Sequence, residues 1–191
     1  PGICGIKIFM GVSTGTLLVS DKTALERIFT ETAGLIAVHA EDEDRMNERR
    51  KLVEGRTDVA AHAYYRDDIT ALLATKLSVE LALKTGHRLH ILHLTSGIEA
   101  DYLSDYCNLP SKSEEHPIIT TEVLPQHLTF DETDVEEKGV RLQMNPPIRY
   151  SADREILWSR LNDGTIQCIA TDHAPHTLEA KSKGFPHAPS G

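Results

Sequence analysis

Ile166-Gln167-Cys168-Ile169-Ala170-Thr171-Asp172-His173-Ala174-Pro175-His176 is the most telling stretch of this chain. An apolar, partly β-branched run that breaks off into Asp172, His173 and His176 reads as a buried strand delivering polar groups to one end of a sheet. Enzymes built from alternating strands and helices keep their chemistry at such strand ends.

Working outward, the pattern recurs three times. Gly5-Ile6-Lys7-Ile8-Phe9-Met10-Gly11 places Lys7 inside an apolar strand, where an isolated charge is costly unless paired, neutralised or modified. Leu35 to Glu41 and Leu89 to Ser96 are apolar strands that end in His39 and His93. Four strand ends therefore offer Lys7, His39, His93 and Asp172.

Helical patterns alternate with these strands. Ser20 is placed to cap a helix carrying Leu25, Ile28 and Phe29, with Gly34 closing it. A charged excursion from Glu41 to Arg56 precedes a helix from about Asp67 to Thr85, with Ile69, Leu72, Leu73, Leu77 and Leu81 at helical spacing and Gly86 at its end. Gly97 to Tyr106 follows the third strand, with Ile98 and Leu103 as candidate core contacts. A polar loop from Asn108 to Glu115 precedes a fourth strand at about Ile118 to Val123. An irregular stretch then carries Pro125, His127 and Gln143-Met144-Asn145-Pro146-Pro147-Ile148-Arg149, whose paired prolines exclude a regular helix. Ser151 is placed to cap a last helix, and Asp163-Gly164 turns into the fifth strand.

Strand–helix alternation predicts an α/β fold with parallel strands, and polar residues at nearly every strand end favour a barrel over an open doubly wound sheet. Five strands are too few for the usual eight, so the chain is expected to be a portion of a TIM-like (β/α)8 barrel with roughly three strands missing before Pro1. Residues 1–191 then form the C-terminal part of a single barrel domain. Pro1 in place of Met and the loop-like end at Gly191 read as cuts through a longer protein, with no signal peptide.

Composition narrows the function. A formal net charge of −9 argues against non-specific nucleic-acid binding, and the 40% hydrophobic content includes no membrane-spanning run. Cys4, Cys107 and Cys168 are few, odd in number and dispersed, which points to a reducing compartment; a cytoplasmic protein is expected. His39, His93 and Asp172 are residue types that hold zinc-like ions, and a catalytic site leaves a coordination position for water.

Together, Ile6-Lys7-Ile8-Phe9-Met10-Gly11, Val38-His39-Ala40-Glu41, His90-Ile91-Leu92-His93-Leu94, Asn145-Pro146-Pro147 and Thr171 to His176 resemble the dihydroorotase family of the amidohydrolase superfamily, from its fourth barrel strand to its eighth. The resemblance implies that Lys7 is carboxylated and bridges two divalent ions, zinc being expected, and that His39 and His93 ligate the second. Asp172 would ligate the first and act as catalytic base. The implied reaction interconverts dihydroorotate and N-carbamoyl-aspartate in pyrimidine synthesis. Asn145 and His176 match positions that hold the substrate carboxylate.

Arg149 is left unassigned, and His127 reads as structural because Gln126 stands where the family often has a second histidine. His62, His87, His116 and His187 read as surface residues. The family's HxH pair on the first barrel strand is absent, so these residues alone are expected to be inactive. A hydantoinase or allantoinase is the nearest rival; it predicts a tyrosine soon after the lysine, where Val12 and Ser13 stand. A silent scaffold for aspartate carbamoyltransferase would be expected to lose ligand residues, whereas Lys7, His39, His93 and Asp172 are all present. A small-molecule substrate and a homo-oligomer are expected.

Overall fold

In a computed structural model, residues 2–13, 17–107 and 118–191 are described. His116, the loop 108–115 and most of the turn after Ser13 lie outside them. The elements run β1 (Gly5–Phe9), α1 (Lys22–Glu31), β2 (Leu35–His39), α2 (Glu43–Arg50), α3 (Ala60–Tyr65), α4 (Asp68–Thr85), β3 (Arg88–Leu94), α5 (Gly97–Ser104), β4 (Ile119–Val123), α6 (Pro125–Thr129), α7 (Glu132–Lys138), α8 (Ser151–Asn162), β5 (Cys168–Ile169) and α9 (Leu178–Lys181).

All five strands are parallel and their spatial order is their sequence order, β1-β2-β3-β4-β5. A doubly wound sheet reverses its order at a switch point, and this one does not. Every crossover therefore lands on the same face, and the sheet is an arc of a (β/α) barrel.

Strand alternation divides the two faces. Ile8, Ile36, Val38, Leu89, Ile91, Ile119 and Val123 point outward into one apolar core with Leu25, Phe29, Ala74, Val79, Ala82, Leu103 and Leu157 from the helices. On the opposite face His90 sits beside its register partner Thr120, with Nδ1 2.8 Å from Thr120 Oγ1 and Nε2 3.1 Å from Glu122 Oε2.

Local signals account for the helix ends, with two shifts from expectation. Asp67 caps α4 by accepting from Thr70 N, and Gly86 closes it at φ 69°. Asp21, not Ser20, caps α1, and Ser151 is the first residue of α8, with Tyr150 at the cap position. Aspartate accepts the exposed amide at least as well as serine, so the boundary moves by one residue. The buried stripe of α4 also differs. It is made of Thr70, Ala71, Ala74, Thr75, Ser78, Val79, Leu81 and Ala82, while Leu73 is exposed. Small side chains let the helix lie close to the sheet, and the leucines other than Leu81 fall at its margins.

The stretch expected to be irregular contains α6 and α7. Pro125 occupies the first turn of α6, where its missing N–H costs nothing, and Asp131 with Asp134 forms a capping box on α7. Gln143 to Arg149 is non-helical. No helix among the described residues is long and apolar enough to cross a membrane.

Candidate active site

The C-terminal ends of β2 and β3 bring two of the expected metal ligands together. His39 closes β2 and is 1% exposed. His93, by strand alternation, would share the helix-facing side of Leu89 and Ile91. Instead the register slips between Ile91 and Leu94 and His93 takes φ 39°. This left-handed backbone is costly for a non-glycine residue and collects at functional sites. It turns the ring inward, so that His93 Nε2 lies 2.9 Å from His39 Nδ1.

Glu41 fixes the tautomers. Its Oε2 lies 2.7 Å from His39 Nε2, so His39 Nε2–H donates to it and the Nδ1 lone pair faces His93. Arg66 Nη1 also donates to Glu41 Oε2, and Arg66 Nη2 donates to the Val12 carbonyl. Arg149 in turn donates from Nη1 to the Arg66 carbonyl at 2.6 Å and from Nε to Thr95 Oγ1 at 2.8 Å. Arg149, unassigned from sequence, is therefore a buried strut.

Electrostatics follow from this network. Burial alone would raise the Glu41 carboxyl; the Arg66 guanidinium, the His39 hydrogen bond and Arg149 overcome it and hold the group at about 2. His93 is pushed well below the usual histidine range, first by burial and then by the charges of His39, His127 and Lys7. Two adjacent imidazoles, one backed by a carboxylate, suit a divalent cation of the zinc type, because ligating histidines bind as free bases with the second nitrogen anchored.

The other two expected ligands do not join them. Lys7 was expected to be buried, but it is exposed, with Nζ 4.6 Å from the Phe9 ring centroid. It lies on β1, at one edge of the arc, so its inward side has a neighbouring strand only on the β2 side. Asp172 follows β5 at the other edge and is also exposed, at φ 42°. Among the described residues no three His, Cys, Asp or Glu side chains stand at metal-binding separation. Phe9 lies between Lys7 and the pair, its ring centroid 5.8 Å from that of His39.

Asn145 and His176, the expected substrate contacts, line one cavity of roughly 780 Å³ together with Ser13, Arg50, Lys51, Arg56, His62 and Arg66. Its wall is strongly basic. The His39–His93 pair lies outside that wall, and Arg66 connects the two. Asn145 Nδ2 donates to the Ser13 carbonyl at 3.3 Å, and His176 Nε2 is 3.2 Å from the Ser190 carbonyl.

His62 is not a surface residue as expected. It is 4% exposed, and burial together with the Arg66 charge lowers it to about 4. Its flanking alanines in Ala60-Ala61-His62-Ala63 are the one sequence signal for burial. His127 is buried against the Pro146 carbonyl at 3.3 Å and is likewise lowered to about 4 by burial. His187 is exposed and His87 half-buried.

Glu99 was missed altogether. It is buried on α5, accepts from Thr75 Oγ1, and burial raises it to about 7. A carboxyl raised from 4.5 in the unfolded chain keeps its proton when folded, so stability is present below pH 4.5 and is lost as pH rises through 7. Glu99→Gln keeps the acceptor for Thr75 and removes that loss. Denaturant unfolding should show the variant about 1–3 kcal/mol more stable at pH 8 and indistinguishable from the parent near pH 4. A constant difference across that range would rule out the protonated acid.

No family model matches the chain. It is 33% identical over 187 residues to the dihydroorotase of Methanosarcina mazei, covering 97% of this chain and 41% of that protein. It is 44% identical over 111 residues to the dihydroorotase of Clostridioides difficile, covering 58% of this chain and 25% of that protein. Among solved structures, the L-hydantoinase (dihydropyrimidinase) of Arthrobacter aurescens superposes with a TM-score of 0.87 at 27% identity, over 100% of this chain and 43% of that one. The dihydroorotase of Saccharomyces cerevisiae, at 15% identity and a TM-score of 0.72, covers 99% of this chain and 50% of that one and shares the fold.

A consecutive parallel arc with histidines at its strand ends, superposing on these enzymes, is part of an amidohydrolase-superfamily barrel. Within that superfamily its sequence is similar, at 33% and 44% identity over the matched residues, to the Methanosarcina mazei and Clostridioides difficile dihydroorotases. The chain spans about two fifths of the length of the curated relatives that match nearly all of it.

Proposed function

We propose that residues 1–191 are the C-terminal part of a single barrel domain whose full-length protein is a dihydroorotase, hydrolysing the cyclic amide of dihydroorotate to N-carbamoyl-aspartate and closing it again. The observation that carries this reading is the inward-turned His39–His93 pair, in a sequence matched over 97% of its length by a dihydroorotase. The residues fit a divalent cation, zinc being expected: His39 Nδ1 and His93 Nε2 would hold one ion, and Lys7, carboxylated on its amine, and Asp172 would complete a two-ion centre. Such ions supply carbonyl polarisation and ionise water near neutral pH.

The chain's own residues do the rest. Asp172 takes the proton of the attacking water and returns it to the departing ring nitrogen, serving as base and then acid. Asn145 and His176 donate to the substrate carboxylate, drawn by the basic wall of Arg50, Lys51 and Arg56. Glu41 holds the His39 ring in its ligating tautomer. The residues 1–191 on their own are inactive in this reading, and the full protein is a cytoplasmic homo-oligomer with aspartate carbamoyltransferase as a candidate partner.

The test is ring opening by the full-length protein on dihydroorotate with hydantoin alongside. Preference for dihydroorotate is expected. The L-hydantoinase superposition supports a second reading, a hydantoinase-type enzyme, and faster turnover of hydantoin would select it. Metal-free protein with neither activity would leave the scaffold.

A further inference from the structure

The excursion between β2 and α4 delivers His62 to Asn145, 83 residues further along the chain. His62 Nε2 lies 3.0 Å from the Met144 carbonyl and 2.9 Å from Asn145 Oδ1. The carbonyl can only accept, so Nε2 must carry the proton. The Asn145 atom facing that N–H must then be its oxygen, which leaves Nδ2 toward Ser13. The Ser13 carbonyl, 3.3 Å from Nδ2, independently demands the same orientation. Two backbone carbonyls thus fix both the imidazole tautomer and the amide, with no free choice in either assignment.

The ring itself is clamped. Tyr65 meets it edge-on at 5.5 Å and 85°, and Phe185 at 6.0 Å and 73°. Asn145 Nδ2 has two hydrogens and spends one on Ser13; the second belongs to a residue on the cavity wall.

We propose that His62 is a positioning residue: its Nε2–H locks the Asn145 amide so that the remaining Nδ2–H is presented to a carboxylate or carbonyl oxygen of the substrate. The inference rests on the dihydroorotase reading for the identity of that substrate. Without the His62 N–H only the 3.3 Å contact to the Ser13 carbonyl would orient the amide, and part of its preorganisation would be lost.

The experiment is steady-state kinetics of the full-length protein with His62→Gln, His62→Asn and His62→Leu, each also combined with Asn145→Ala. The glutamine amide reaches the place of Nε2, whereas asparagine is a bond shorter and leucine cannot donate. Loss of one oriented hydrogen bond is expected to raise KM for dihydroorotate about tenfold in His62→Asn and His62→Leu, with kcat changed less than about threefold. His62→Gln should restore KM, and Asn145→Ala should add nothing to His62→Leu. Equal KM in the glutamine and asparagine variants, or full additivity with Asn145→Ala, overturns the proposal. Should the variants fail to fold, the nitrogen-15 shifts of His62 in the unaltered protein decide: an Nδ1–H tautomer refutes the lock. Absence of dihydroorotate turnover in the unaltered protein refutes the functional reading instead, and leaves the tautomer measurement standing.

Discussion

Asp172→Asn in the full-length protein is expected to lower kcat on dihydroorotate by about 10³-fold or more, within the range that a positioned general acid–base contributes plus the loss of an anionic ligand. Asparagine has the shape of aspartate but cannot take up a proton at neutral pH. It is also a residue that tolerates left-handed backbone, so it should keep the φ of 42° found at this position without added strain. Asp172 is exposed among residues 1–191, at the open β5 edge, so its replacement should not disturb their packing. The comparison of kcat with thermal unfolding therefore separates chemistry from folding. A variant that retains more than a tenth of the parent's kcat would remove Asp172 from the proton-transfer role.

The second large effect is on stability. Arg66→Met is expected to cost about 3–5 kcal/mol, because it strands the fully buried Glu41 carboxylate without its counter-charge. Glu41 Oε1 already has no hydrogen-bond partner among the described residues, so little in the surroundings can compensate. The loss should depend on pH. Glu41 is depressed from 4.5 to about 2 in the folded state, so its contribution is present above pH 4.5 and disappears as pH falls through 2. The difference between Arg66→Met and the parent should accordingly narrow on acidification. Adding Glu41→Gln should recover a large part of the cost, since a neutral amide in the same place needs no cation. Urea unfolding of the single and double variants at pH 7 and pH 4 checks both statements; equal destabilisation in the two would show that Arg66 acts by packing alone.

Much of the fold was legible because it is written locally. Asp67 and Gly86 bracket α4 with a capping side chain and a left-handed residue, and the strands announce themselves as short apolar runs. The barrel preference followed from the polar residue at each strand end, and the consecutive strand order agrees with it. What escaped sequence reading depends on distant partners. His62 has no helical or strand periodicity to reveal its burial, and its contact lies 83 residues away. Arg149 and Glu41 are separated by more than a hundred residues and meet only through Arg66. The inward turn of His93 depends on a register slip that no spacing rule encodes. Lys7 misled for a complementary reason: an apolar run signals a buried strand, but burial of its polar side depends on what closes the other edge.

The serial strand order also sets a schedule. Each strand pairs with the one made immediately before it, so during synthesis every new unit meets a finished template and does not have to wait for a partner from the far end of the chain. The imidazole pair can assemble once β3 leaves the ribosome, whereas the Asn145 amide must wait for more than fifty further residues before His62 can hold it. The imidazole pair is thus an early product of folding, and the contact between His62 and Asn145 is a late one.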